Sequence, residues 1–149
     1  MSNIRSMEEG DRETVLDMMR RFYASDAVGT DGSEDIFAAD FDACIGNSPH
    51  VDGFIIEDLG KKVGYAMIAR SWSTEFGGRC IWIEDLFIEK NFRGRGLSSL
   101  FFSWLFKNED AVLFRLEVED DNKIAINSYV RNGFEFLNYA EMIRHGRQA

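Results

Sequence analysis

The chain has few residues that staple, break or anchor a fold. Its 149 residues include one proline, two cysteines and two histidines. Cys44 and Cys80 lie far apart with no CxxC spacing, which excludes a disulfide framework, and His50 and His145 have no ligand-like neighbours, so no metal site is expected. Positive charge is also scarce. Seventeen Lys and Arg face 26 Asp and Glu for a net charge of -9, which argues against a nucleic-acid partner and leaves a cationic partner easier to accommodate. No uninterrupted apolar run is long enough to span a bilayer and the N-terminus shows no apolar signal region, so no membrane contact is expected and the simplest compartment is a reducing cytoplasm.

What the sequence does contain is core. With 45% hydrophobic and 13% aromatic residues, residues 1–149 fit a single compact domain with a sizeable interior. Along the chain, NIRSM reads as a short strand, and GDRETVLDMMRRFYA as a helix whose Val15, Met18, Met19 and Phe22 share a face, with Asp11 able to cap it. SEDIFAADFDACIGN forms a second helix, with Phe37, Phe41, Cys44 and Ile45 on one face, Ser33 as N-cap and Pro49 marking its end. Three strands follow, VDGFIIED, KKVGYAMIARSWS and RCIWIEDLFI, the last two joined by a Gly77-Gly78 turn. After a glycine-rich loop come a helix with the stripe Leu97, Leu100, Phe101, Trp104 and Leu105, the strand AVLFRLEVE, and the helix DNKIAINSYVRN stopped by Gly133. FEFLNYAEMI reads as a final strand. The order is α/β: a mixed sheet of about six strands with about four helices.

The loop RGRGLSS stands where a strand delivers the chain to a helix N-terminus, and unpaired N–H groups at the positive end of a helix dipole suit an anion there. Gly94 and Gly96 can take positive φ and let a ligand approach the backbone, and Ser98 and Ser99 can add hydroxyl donors. It is neither a Walker loop nor a complete GxGxxG. A tight turn flanked by solvated arginines is an equal reading of the same residues. Glu84 and Asp85 form a carboxylate pair inside an apolar strand, expected on opposite faces because strand side chains alternate.

With these motifs in order, the sequence resembles the GNAT superfamily of acetyl-CoA-dependent N-acetyltransferases. Arg93, Gly94, Arg95, Gly96, Leu97 and Ser98 correspond to its pyrophosphate motif, with Ser98 departing at a position that is usually glycine or alanine. LEVEDDNKIAINSYVRNGFE is similar to its second strand-to-helix segment, with Asn122, Ala125, Tyr129, Gly133 and Phe134 in register. GYAM before IWIEDLFI is similar to the diamine and polyamine branch. The resemblance implies a GNAT-like fold with a central parallel strand pair. It also implies that acetyl-CoA is held by the Arg93–Ser99 loop and Asn122, and that the backbone of Leu86, Phe87 and Ile88 meets the pantetheine arm where that strand splays from its neighbour.

The chemistry then assigns roles. An alkylammonium with a pKa near 10.4 is neutral in only about one molecule per thousand at pH 7, so deprotonating it costs about 4 to 5 kcal/mol. Glu84, its pKa raised by an apolar strand, is the candidate base for that proton. Tyr129 is the candidate acid for the departing thiolate, and a core tyrosine is its structural alternative. Backbone N–H groups after Glu84 could hold the oxyanion. Tyr23, Asp26, Trp72 and Asp85 are candidates for the acceptor side. A turn explains Ser25 and Asp26 as well, and a sheet cover explains Trp72. Arg79 and the Lys61-Lys62 pair read as solvated turn residues. The expectation is direct transfer of acetyl from acetyl-CoA to a primary amine, small and cationic or on a peptide, by a chain able to form a homodimer. A non-catalytic CoA-binding regulatory domain is the alternative, and an RNA-binding use of RGRG is opposed by the acidic balance.

Overall fold

Period-two apolar patterns and turn glycines place five strands in one sheet of the computed structural model, which describes residues 1–28 and 32–147. They are β1 (Ser2–Ser6), β2 (Val51–Asp58), β3 (Lys61–Ser73), β4 (Gly78–Ile88) and β5 (Leu113–Leu116). They lie side by side in chain order, antiparallel from β1 to β4, and β5 is parallel to β4. Only that last connection needs a crossover, which the helix between the two strands supplies. Helices α1 (Arg12–Tyr23) and α2 (Glu34–Ile45) precede β2, α3 (Leu97–Asn108) makes the crossover, and α4 (Lys123–Arg131) follows β5.

The apolar stripes sort the helices onto opposite faces of the sheet. Val15, Met18 and Met19 of α1 and Phe37 and Phe41 of α2 pack over Ile55, Tyr65 and Phe87. Phe101, Phe102 and Leu105 of α3 pack over Phe54, Ile68 and Ile81, with Tyr129 of α4 against the same cluster. Each fully buried side chain of this size contributes about 1.5–3 kcal/mol relative to exposure. Ser33 caps α2 as expected, its hydroxyl accepting from the Ile36 N–H at 3.2 Å. Gly133 takes φ 92° just past α4, which a side chain would resist.

Three expectations are corrected. Asp11 does not cap α1. Its buried carboxylate takes a bidentate pair from Arg5, both contacts at 2.9 Å, accepts the Glu8 N–H at 2.8 Å, and meets Lys62 at 2.7 Å. The Arg5 contact, foremost, holds its pKa well below the usual carboxylate range. Lys62 is accordingly part of an ion cluster joining β1, the start of α1 and β3, and no solvated turn residue. Finally, the sheet has five strands among the described residues where about six were expected, because FEFLNYAEMI pairs with no strand. Alternating apolar residues make a segment competent for a strand, but a strand also needs an edge to pair with.

Candidate active site

The site begins with two irregularities in β4. First, the strand pairs with β5 only from Cys80 to Ile83, where Ile83 lies opposite Leu116, although β4 itself runs on to Ile88. From Glu84 onward β4 and β5 part, leaving the backbone of Leu86, Phe87 and Ile88 without a strand partner on that side. Second, Met67 of β3 lies opposite Asp85 while Ile68 lies opposite Ile83, so Glu84 is the extra residue of a β-bulge. The bulge resets the alternation. Ile81 and Ile83 before it, and Leu86 and Ile88 after it, all join the α3 face, whereas Phe87 joins the α1–α2 face. The expectation that Glu84 and Asp85 point to opposite faces fails for this reason.

Asp85 faces the α1–α2 layer and is 4% exposed. Tyr65 donates its hydroxyl proton to one carboxylate oxygen at 2.7 Å, and Tyr23, the last residue of α1, donates to the other at 3.0 Å. Burial raises the Asp85 pKa and the two tyrosines pull it back. Both hydroxyls are pushed up, chiefly by burial and next by the Asp85 charge. Asp40 of α2 belongs to the same group. Its pKa is pushed up to about 6, first by burial and then by Asp85. Glu84 has a solvent-exposed surface at the rim, yet its surroundings exclude enough water to raise its pKa, with Asp85, Asp40 and Glu141 adding to the shift. No ion pair among the described residues neutralises Asp40, Glu84 or Asp85, although surface carboxylates such as Glu34 and Asp42 are paired.

At the parting end of β4 stands the glycine loop. Gly94 and Gly96 both take φ 77°, and a Cβ built on either meets nothing within 4 Å. The space in front of the loop is therefore open. Gly96 is the N-cap of α3 with no side-chain cap, and the first helical bond runs from the Leu100 N–H to the Gly96 carbonyl. That leaves the N–H groups of Leu97, Ser98 and Ser99 without a partner inside the helix. Arg93 turns back, its Nε donating to the Ile88 carbonyl at 2.8 Å, while Arg95 lies over the Phe92 ring at 5.0 Å with half its side chain exposed. The Ser99 hydroxyl accepts from Asn132 at 3.0 Å, tying α3 to α4.

Tyr129 of α4 is half-buried against Phe102 and Phe134, with centroids 6.0 Å away in both cases, and burial raises its pKa. Its hydroxyl has no hydrogen-bond partner among the described residues. The Asn122 carboxamide oxygen accepts from the Ala125 N–H at 3.3 Å and thereby caps α4. Trp72 is not brought to the carboxylates. It is 69% exposed and pairs with Arg79 near the far end of the hairpin, five residues along β3 from Met67, about 16 Å at strand rise. Asp26 lies exposed in the turn past α1, and no hydrogen bond or ion pair among the described residues joins it to the cluster. Sequence reasoning missed Asp40 and Tyr65. The signal for Asp40 was present, since it falls three residues after Phe37 and four before Cys44, on the apolar face of α2.

A parallel strand pair that parts, a bulge at the parting point, and a glycine loop at the helix N-terminus that follows thus lie together in this chain. The chain belongs to the acetyltransferase (GNAT) family, whose model matches residues 15–134. It is similar to thialysine N-epsilon-acetyltransferase of Sus scrofa, 30% identical over 93% of this chain and 86% of that protein, and to the Bos taurus protein of the same name at 29%. Its fold matches the structure of AAC(6')-Iy in complex with the bisubstrate analogue CoA-S-monomethyl-acetylneamine at TM-score 0.81 and 17% identity, covering 99% of both chains. It also matches a possible acetyltransferase from Clostridium difficile 630 at TM-score 0.82 and 19% identity, again over 99% of both. The protein is an acetyl-CoA-dependent N-acetyltransferase with acetyl-CoA as its co-substrate. No helix of the described residues is long and apolar enough to cross a membrane.

Proposed function

We propose that residues 1–149 form one N-acetyltransferase domain, active in the cytoplasm, that moves acetyl directly from acetyl-CoA to a primary amine bearing a second positive charge. The acceptor on this reading is a small diamine or polyamine, or an amine within a cationic peptide. One observation carries it: Asp85, Asp40 and Glu84 share one side of the sheet with raised pKa values and no cation of the protein beside them. A buried carboxylate without a counter-charge is costly, and an incoming ammonium offsets that cost. Tyr23 and Tyr65 hold Asp85 in place for it. Asp26 and Trp72 have no part in this acceptor site.

Glu84 then takes a proton from the acceptor ammonium, directly or through water, and the neutral nitrogen attacks the thioester carbonyl. Free N–H groups of β4 beyond the bulge lie on the edge where the oxyanion would form. As the C–S bond breaks, Tyr129 gives its proton to the thiolate, and the second proton shed by the nitrogen as the amide forms restores the Tyr129 hydroxyl, leaving the proton on Glu84 to pass to solvent. The products are an acetamide and CoA, with one proton released to solvent overall. The amides of Leu97, Ser98 and Ser99 and the side chains of Arg93 and Arg95 would bind the pyrophosphate, and the Asn122 region would close the cofactor side. The test is thioester cleavage followed across an amine panel. Diamines should give the highest kcat/KM, and an enzyme that acetylates glutamate as fast as a diamine contradicts the acceptor assignment.

A further inference from the structure

Glu84 has no partner of its own across the sheet. Met67 lies opposite Asp85 and Ile68 opposite Ile83, so the surplus residue is held only through the two residues that flank it. They are anchored on opposite faces. Ile83 is 7% exposed in the α3 core and is paired with Ile68 on one side and Leu116 on the other. Asp85 has no strand on its β5 side and no apolar side chain to bury. What fixes it is the pair of hydroxyls on its carboxylate, Tyr65 at 2.7 Å and Tyr23 at 3.0 Å.

The two tyrosines reach Asp85 from different elements. Tyr65 stands on β3 opposite Phe87, one diagonal step from Asp85, and stacks on the Phe87 ring with centroids 6.1 Å apart. Tyr23 ends α1 and packs against Phe22 and Phe37, with centroids 5.5 and 5.2 Å away. Packing locks both rings, so their hydroxyls are fixed points to which the carboxylate conforms. With unbroken alternation Asp85 would fall beside Ile81 and Ile83 on the α3 face, among apolar side chains where a carboxylate without a partner is costly. The tyrosines lie on the other face. The bulge is therefore the register in which Asp85 reaches them, and beyond it the strands close up again at Gly64, where a Cβ would collide with the Phe87 carbonyl.

We propose that Tyr65 and Tyr23 are positioning residues for the acetyl transfer: by gripping both carboxylate oxygens of Asp85 they hold β4 in its bulged register and thereby aim Glu84 at the acceptor nitrogen. The proposal rests on Glu84 as the base, and it gives Asp85 a second task besides meeting the second charge of the acceptor. The two hydroxyls exchange no proton with the substrate. What they fix is where the base stands, and a displacement of about 1 Å at a reacting group costs a rate factor on the order of 10².

The test is a double-mutant cycle with amide exchange measured on the same proteins. Tyr23→Phe/Tyr65→Phe keeps both rings and removes both hydroxyls, and Tyr23→Phe alone, at the half-buried position, carries the same test if the double variant does not fold. With the best acceptor of the amine panel, kcat should fall about tenfold or more in the double variant and by less in Tyr23→Phe. The KM for acetyl-CoA should stay within about twofold of wild type. In a Glu84→Gln background the same changes should lower kcat by no more than about twofold, because no base is left to aim. The β3-facing amides of 84–88 should lose protection while those of 80–83 keep it. Equal losses of kcat in the two backgrounds overturn the proposal, since hydroxyls that serve only stability or acceptor binding act whether or not Glu84 is present. Unchanged protection of 84–88 overturns it too, and that measurement needs no acceptor. A wild-type kcat in Glu84→Gln itself overturns the base assignment and the proposal with it, even where 84–88 lose protection, so the two failures are told apart.

Discussion

The two halves of β4 obey different rules. From Cys80 to Ile83 the strand has neighbours on both edges, and its inward residues Ile81 and Ile83 lie 0% and 7% exposed in the α3 core. From Glu84 to Ile88 it keeps β3 but loses β5, gains an extra residue, and carries two carboxylates on the way. The first half maximises burial. The second leaves backbone groups unpaired and a carboxyl group inside the protein, features that cost stability unless a ligand meets them. One strand thus supplies a rigid root and a reactive tip, and the site gains its precision from the root.

The largest effect that sharpens this contrast lies in the paired half. Ile81→Ala should cost about 2–5 kcal/mol of unfolding free energy, measured by denaturant titration, because it leaves a cavity in a closed core. Glu84→Gln, three residues on, should leave the folded state at least as stable as wild type at pH 7. A loss there comparable to Ile81→Ala would mean that the second half is ordinary core.

Tyr129→Phe comes next. The ring still packs on Phe102 and Phe134, so the affinity for acetyl-CoA should hold while kcat falls by about 10² or more, the signature of a proton donor used in the transition state. Unchanged turnover in steady-state assays would leave Tyr129 as a packing residue of α4.

The loop at the parting end gives a ligand-dependent effect. Acetyl-CoA and CoA should both raise the melting temperature, and pantetheine much less, because the amides of Leu97–Ser99 need a phosphate to bind. Gly96 sits at φ 77°, where a β-branched residue is strained. Gly96→Val should abolish the shift with both CoA species. Equal shifts from all three ligands would place the binding energy elsewhere.

The smallest effect concerns charge. The folded pKa of Asp40, about 6, exceeds the value of about 3.9 expected in the unfolded chain. The folded state therefore holds the proton more tightly, and stability declines as pH rises through that window. Asp40→Asn should raise the melting temperature at pH 7, leave it unchanged at pH 4, and raise KM for a diamine. A variant that melts lower at pH 7 would show that the Asp40 charge has a partner in the folded protein.

The root was more legible in the sequence than the tip. The stripes of α1, α2 and α3 and the glycines of the loop are local patterns, and the folded chain keeps them. The bulge is not local. Which residue of IEDLF lies opposite Met67 depends on the pairing of two strands, and nothing in the five letters says that Glu84 is surplus. Asp40 and Tyr65 escaped for a similar reason, since each matters through what α2 or β3 packs against. The FEFLNYAEMI segment shows the opposite failure, a clear strand pattern whose partner edge a single sequence cannot supply.

The assignment of Glu84 as the base at the bulge is tested most directly by the pH dependence of kcat/KM for a diamine, in wild type and in Glu84→Gln. A raised carboxyl pKa means that the wild-type base is lost as pH falls. The account predicts that Glu84→Gln is most impaired just above that pKa, where the wild-type carboxylate is ionised and the neutral amine is still scarce, converges with wild type below it, and is partly rescued as rising pH supplies that amine without help. A variant that keeps the wild-type rate and profile across this range would contradict the role of Glu84, and with it the claim that the bulge exists to place a base.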